Sequence, residues 1–345
     1  MGGDGLGFST GACAAAAAKA AALAATGAPV PASLEIPFPD GARLALPIAW
    51  ARPAPGGGEA AVVKDAGADP DISHGATVIV AARQAPGWRF TAGAGVGTVT
   101  LRGLQIPPGE AAINPGPRAM IRAALEELGW SGGNIQVSIP GGADLARRTF
   151  NPRLGVLGGL SILGSTGRVR PFSLDAVRAT IDCSLDVVRA AGHDRVALVP
   201  GHLGQRALGA WNADLPGVEV GNEWAHALDA AVARGFRALL LAGHPGKLVK
   251  LAEGHFDTHS GRSPSPLPGV HALAETVAGR GLAPTPTVEG VFQALDPDQR
   301  ARLARPLARA VAEAAARRTG LPCAALLTTM DGGIYGGWLE GTPWT

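Results

Sequence analysis

The sequence predicts a chain of mixed class in two domains. Residues 1–172 read as an α+β domain, and residues 173–345 as an α/β/α domain with a mostly parallel sheet. Three observations predict this. The chain has 345 residues, about twice the size of a common domain. Its first half strings short apolar runs between turn residues, the pattern of antiparallel strands. Its second half repeats strand, glycine turn and helix, the pattern of parallel strands joined by crossover helices.

The N-terminal elements follow in order. Residues 7–27, GFSTGACAAAAAKAAALAATG, run from glycines and hydroxyls into an alanine helix. Ser9 or Thr10 is a natural N-cap, and with Gly11 the same helix start is a candidate anion site. SLEIPFP (33–39), ARLALPI (42–48), AAVVKDA (60–66) and ATVIVAA (76–82) read as strands, with Asp40-Gly41 a hairpin turn between the first two. PAPGGGE (53–59) is expected as a surface loop. RAMIRAALEELG (118–129) has apolar residues at helical spacing and a closing glycine. NIQVSIPGG (134–142) is a strand entering a turn. The glycine-rich stretch 151–173 is too apolar for disorder and is expected at the seam between the domains.

In the second half, SLDAVRATIDCSLDVVRAAG (173–192) is an amphipathic helix. DRVALVPG (194–201), GVEVGNEW (217–224) and FRALLLAGHPG (236–246) are strands running into turns. WAHALDAAVARG (224–235) and KLVKLAEG (247–254) are the helices that answer them. Residues 266–281 and 297–320 read as later helices, PCAALLTTM (322–330) as a final strand, and DGGIYGGW (331–338) as a loop or tail.

Composition narrows the function classes. Thirty basic and 28 acidic residues leave a net charge of +2, and aromatics are only 5%. A large basic field and base-stacking platforms are both lacking, which argues against a nucleic-acid partner. The three cysteines, Cys13, Cys183 and Cys323, are far apart and form no CxxC. That predicts a reduced, cytoplasmic protein without a disulfide framework or zinc signature. No apolar stretch reaches the roughly 20 residues of a membrane span. The alanine run has no basic leader and is interrupted by Lys19, so it is not read as a signal peptide. A homo-oligomer is compatible with the sequence.

Four constellations carry chemistry. Ligands of parallel sheets sit at the carboxyl ends of strands; here those ends carry Gly201, Gly204, Asn222, Glu223, Gly243 and Gly246. The glycines let a ligand approach the backbone, and an acid such as Glu223 suits a ribose diol. No GxGxxG is present. The second constellation, GHPGKLVKLAEGHFDTHS (243–260), packs His244, Lys247, Lys250, His255, Asp257, His259 and Ser260 together without a metal-ligand spacing. The third, VVKDAGADPDISHG (62–75), gathers Lys64, Asp65, Asp69, Asp71 and His74, either as an acid–base set or as an Asp-Pro-Asp turn capped by Asp71 or Ser73. The fourth is Arg153, Arg168 and Arg170, whose forks suit carboxylates or phosphates. With the helix start at Ser9-Thr10-Gly11, these arginines point to a substrate rich in carboxylates.

Several stretches together resemble the CbiD family, the cobalt-precorrin-5B C1-methyltransferases of the oxygen-independent cobalamin pathway. They are GFSTGACAAAAAKAAA, VVKDAGADPDISHGA, GVGTVTLRGL, AINPGPRAMI, TFNPRLGVLGGLSILGSTGRVRP and GHPGKLVKLAEGHFDTHS, in order over residues 7 to about 340. The resemblance implies methyl transfer from S-adenosylmethionine to C1 of a cobalt corrinoid, giving cobalt-precorrin-6A. Cobalt would arrive inside the substrate, with no metal site on the protein. It also implies an N-terminal domain like the second domain of ribosomal protein S5 and a Rossmann-like C-terminal layer. Corrinoid acetates and propionates would meet Ser9, Thr10, Gly11, Lys64, Asp65, Arg153, Arg168, Arg170 and Lys250. The methyl donor would sit on Gly201, Gly204, Asn222, Glu223, Gly243, Gly246 and Lys247, although either lysine could serve either ligand. A proton acceptor, if one is used, would be His259 or Asp257, with His244 third. Two departures stand out: THSGRSPSPLP replaces a polar Ala-Asp-x-Arg continuation, and Gly221 precedes Asn222 where many members have Ser. The alternatives are a non-catalytic corrinoid carrier and a small-molecule kinase using the Ser/Gly loop, with Asp65 or Asp69 holding its metal.

Overall fold

A computed structural model describes residues 7–171 and 173–344. The chain divides into two compact units, Met1–Ser173 and Leu174–Thr345.

Unit 1 contains β1 (Gly7–Phe8), α1 (Thr10–Ala25), β2 (Ser33–Pro37), β3 (Arg43–Pro47), β4 (Trp50–Ala54), β5 (Gly57–Val63), β6 (Thr77–Gln84), β7 (Trp88–Ala92), β8 (Thr98–Val99), α2 (Pro115–Glu126), β9 (Gly133–Ser138), α3 (Gly142–Ala146), β10 (Val156–Leu157) and β11 (Arg168–Val169). Its main sheet runs β4-β5-β6-β9-β7 and is antiparallel except for the parallel β7–β9 pair. The β2–β3 hairpin turns at Asp40-Gly41, where Asp40 Oδ1 accepts the Ala42 N–H at 3.0 Å.

Helix α1 explains its own composition. It packs on β4, β5, β6, α2 and β2, so it is buried all round rather than on one stripe. Eleven of its side chains from Ala12 to Ala24 are alanine or cysteine at 4% exposure or less. Alanine allows the close approach that this crowding demands: a Cβ on Gly58 of β5 would lie 1.9 Å from the Ala21 carbonyl oxygen. The one polar break, Lys19, reaches Glu127 at 2.6 Å and the Glu35 carbonyl at 2.8 Å.

Two expectations for this half are corrected. The 53–59 loop is only a Pro55-Gly56 turn, because Ala54 pairs with Gly57 and β5 begins at once. Nor is the 151–173 stretch a seam. Val156–Leu157 pairs with Thr98–Val99, Arg168–Val169 pairs with Gly7–Phe8, and Ile162 bridges Ile113. Its glycines allow close weaving within unit 1; a Cβ on Gly159 would lie 2.2 Å from the Gly95 carbonyl oxygen.

Unit 2 contains α4 (Leu174–Ala190), β12 (Arg195–Val199), α5 (His202–Trp211), β13 (Gly217–Glu219), α6 (Trp224–Ala233), β14 (Ala238–Gly243), α7 (Pro245–Ala252), α8 (Leu267–Ala278), α9 (Val288–Gln293), α10 (Pro297–Thr319), β15 (Cys323–Thr328) and β16 (Ile334–Trp338). The sheet order is β13-β12-β14-β15-β16, parallel through β15 and antiparallel at β16. Alternate strand residues feed two cores. Val196, Leu198, Leu239, Leu241 and Leu327 meet α4, α6, α7 and α10 on one face. Ala197, Val199, Leu240, Ala242 and Leu326 meet Leu208 and Trp211 of α5 on the other. Such two-sided burial is why the strands read as continuous apolar runs. The stretch 331–338, expected as a loop or tail, is a loop at 331–333 and the edge strand β16 from Ile334 on. No described helix is long and apolar enough to cross a membrane.

Candidate functional site

The connection from β12 leads to β13 on one side of the sheet, and the chain from β14 continues to β15 on the other. The crevice between the carboxyl ends of β12 and β14 is therefore the topological switch point, where α/β sheets hold their ligands. Gly243 and Gly204 sit in it. A Cβ on Gly243 would come within 2.8 Å of the Pro200 ring, and one on Gly204 within 3.1 Å of the Ala242 carbonyl. These two glycines thus serve close packing of the two turns. Gly201, by contrast, faces open space.

One amide organises the rim. Asn222 Oδ1 accepts Lys247 Nζ at 3.0 Å and Thr258 Oγ1 at 3.1 Å. The Lys247 ammonium is half-buried against this neutral partner. Burial first, and the neighbouring Lys250 second, push its pKa down, which marks a site short of negative charge. Lys250 is itself buried and is spent on the chain: it donates to Ser263 Oγ at 2.9 Å and to the Thr258 carbonyl at 3.3 Å. It shapes the loop of residues 255–263, so a corrinoid carboxylate would find it already covered.

Glu223 is buried, and its Oε2 accepts Arg178 Nε of α4 at 2.8 Å. Its Oε1 lies 4.0 Å from Arg262. The Arg262 guanidinium also clasps Asp257 and holds that carboxyl below the usual carboxylate range, which makes Asp257 a weak proton acceptor. His244 caps α7: its Nδ1 accepts the Gly246 N–H at 3.0 Å, and its Nε2 meets Glu289 Oε2 at 2.8 Å. Both ring nitrogens are thus engaged, one in capping α7 and the other with Glu289. The same carboxylate, with burial as the larger cause, pushes Tyr335 up. His259 is exposed, with Nδ1 accepting the Gly261 N–H at 3.1 Å.

In unit 1 the helix start is consumed locally. Ser9 Oγ accepts the Ala12 N–H at 3.1 Å, Thr10 Oγ1 accepts the Leu163 N–H at 2.9 Å, and Gly11 N–H donates to the Leu163 carbonyl at 2.9 Å. Ser9 and Thr10 are buried, and the cap and the Leu163 contact engage their hydroxyls. Lys64, 1% exposed, pairs with Asp71 at 2.7 Å. Burial opposes charge on Asp71, but Lys64 and the Ser73 hydroxyl and amide outweigh it and hold its pKa low. The stretch is the capped turn, with Asp65 Oδ1 accepting the Gly67 N–H at 2.8 Å. Arg168 pairs with Asp40 at 2.6 Å, Arg153 lies over the Phe150 ring at 5.6 Å, and Arg170 is exposed. Two grooves of about 410 and 600 Å³, at Ala24–Pro53 and around Trp211, involve none of these residues.

The CbiD family model matches residues 3–171. A Syntrophotalea carbinolica protein named cobalt-precorrin-5B C(1)-methyltransferase is 49% identical over 344 residues, 98% of each chain. The chain belongs to the CbiD family. Proteins of the same name from Burkholderia lata and Burkholderia cenocepacia are each 42% identical, covering 81% and 80% of this chain and 78% of each relative. A crystal structure of the cobalamin biosynthesis protein CbiD from Archaeoglobus fulgidus matches with TM-score 0.41 and 25% identity, over 74% of this chain and 82% of that one.

Within this CbiD chain, unit 2 gathers Asn222, Gly243, Lys247 and the 257–259 loop at one sheet edge. Sequence reasoning missed Arg178, Thr258, Arg262, Ser263 and Glu289. Thr258 lies inside the quoted 243–260 motif and carried a signal as a hydroxyl flanked by Asp257 and His259. Arg178 and Glu289 carried none, because each lies 45 residues from the group it binds.

Proposed function

We propose that the chain is an S-adenosylmethionine-dependent C-methyltransferase acting on C1 of cobalt-precorrin-5B and giving cobalt-precorrin-6A in cobalamin biosynthesis. The observation that carries this reading is the 49% identity, across 98% of both chains, with a protein named for that reaction. S-adenosylmethionine would supply an electrophilic methyl carbon on a sulfonium; the protein's own work is to hold and orient its two substrates.

The residues of unit 2 fit the methyl donor. Lys247, a half-buried cation whose hydrogen-bond acceptor is a neutral amide, suits the donor's carboxylate. Gly201 leaves the backbone open at the switch point. Glu223 is committed to Arg178 through Oε2, so a ribose hydroxyl would share Oε1. For the corrinoid, Arg170, Arg168 and Arg153 of unit 1 are the groups suited to carboxylates. The parallel order β13-β12-β14-β15 supports a Rossmann-like second unit, and the helix-backed antiparallel sheet is compatible with an S5-like first. Three unpaired cysteines accord with a reducing cytoplasm.

The test is anaerobic incubation of the purified chain with cobalt-precorrin-5B and S-adenosylmethionine carrying an isotopic methyl label. One labelled methyl on C1, with release of S-adenosylhomocysteine, is the expected result. A corrinoid that binds and is recovered unchanged would make the protein a carrier.

A further inference from the structure

The loop of residues 255–263 fixes more than the position of His259; it fixes which ring nitrogen carries the proton. Nδ1 accepts the Gly261 N–H at 3.1 Å. A neutral imidazole has one accepting and one protonated nitrogen, so the hydrogen is on Nε2. The imidazolium carries a hydrogen there as well. While the Gly261 bond holds, the neutral ring presents an N–H at Nε2 and never a lone pair there; the imidazolium, whose Nδ1 has no lone pair, gives up that bond and keeps the Nε2–H. That nitrogen has no partner among the described residues, and the side chain is on an exposed residue.

The loop is braced to keep this arrangement. Asp257 Oδ1 accepts the His259 N–H at 3.0 Å, and Ser263 Oγ donates to the His259 carbonyl at 3.1 Å. The buried Lys250 holds Ser263 and the Thr258 carbonyl from beneath. Thr258, next in the chain to His259, shares the Asn222 oxygen with the Lys247 ammonium. A fixed N–H donor therefore stands in the same rim as an incompletely neutralised cation. That combination recognises an anion and is poorly suited to removing a proton.

We propose that His259 is a recognition residue that donates Nε2–H to a carboxylate of the corrinoid substrate, and that it is not the proton acceptor of the reaction. The substrate named rests on the proposed function; the tautomer does not. Nitrogen-15 spectra of histidine-labelled full chain, with H259Q identifying the signal, should find the His259 proton on Nε2. A proton on Nδ1 and a bare Nε2 would overturn the proposal. Glutamine keeps an N–H donor but has no basic nitrogen, so kinetics separate the roles. H259Q should stay within about threefold of wild type, while H259A raises the corrinoid KM about tenfold with little change in kcat. A kcat loss of about a hundredfold in both variants at unchanged KM would sink the idea. If the wild-type chain methylates nothing, the proposed function falls. Absorbance titration of cobalt-precorrin-5B into the three proteins then decides the recognition role by the same ranking.

Discussion

Lys247 Nζ lies 3.0 Å from Asn222 Oδ1, a cation held by a neutral oxygen at the ends of two parallel strands. Burial and Lys250 both disfavour its charge, so an anionic ligand relieves the site. Because the folded pKa is depressed, the ammonium is lost at a lower pH than for a free lysine, whose value is about 10.4. Affinity for S-adenosylhomocysteine should therefore fall as pH rises toward that value, and K247M should bind at least about tenfold more weakly at neutral pH, with a flat pH response. Calorimetric titration across the alkaline range checks both. Equal affinity in wild type and K247M would remove Lys247 from the site.

His244 is an N-cap, and caps can be exchanged. H244A should lose about 1 kcal/mol of stability in denaturant titration, whereas H244S or H244N should recover most of it. Methyl transfer should follow the same ranking. Activity abolished equally in all three would return His244 to proton transfer.

The contact between α1 and β5 leaves no room for a methyl group. G58A should lower stability by more than about 2 kcal/mol, since the obstruction is backbone and cannot rotate away. G27A is the control: Gly27 has φ 75° with nothing near its Cβ, so only the left-handed conformation is penalised, by about 1 kcal/mol. Comparable midpoints for the two variants would contradict the packing.

Arg43 above all, with Lys19 assisting against the effect of burial, pulls Glu127 down to about 2. A depressed carboxyl stabilises the fold above its unfolded pKa of about 4.3 and loses that contribution as pH falls through the folded value. The melting-temperature gap between wild type and E127Q should thus be full at pH 7 and close progressively below about pH 4. A gap that does not vary with pH would mean that the cluster adds nothing by charge.

Much of this molecule was legible from period and punctuation. Strand ends in unit 2 announce themselves because two-sided burial makes unbroken apolar runs that stop at glycine, as in 238–243. The α5 helix escaped because Gly204 and Gly209 interrupt HLGQRALGAW, and β16 because IYGGW spends two of five positions on glycine. The site was legible as a set of residue types, not as roles. Thr10, Lys64, Lys250 and His244 look like ligand groups in a linear sequence. Their work as caps and braces depends on partners such as Leu163, Asp71, Ser263 and Glu289, which only the fold brings near.

The alanine helix has a mechanical corollary. Interlocking side chains normally act as gear teeth that stop a helix from sliding or spinning, and α1 has almost none. What stops it is the close fit of backbone against backbone, as at Gly58 and Ala21, with Thr10 on Leu163 at one end and Lys19 on Glu127 farther along as polar pins. A smooth shaft seated in a tight sleeve tolerates no widening of its own profile, so one added methyl at the sleeve is felt more than the loss of a pin.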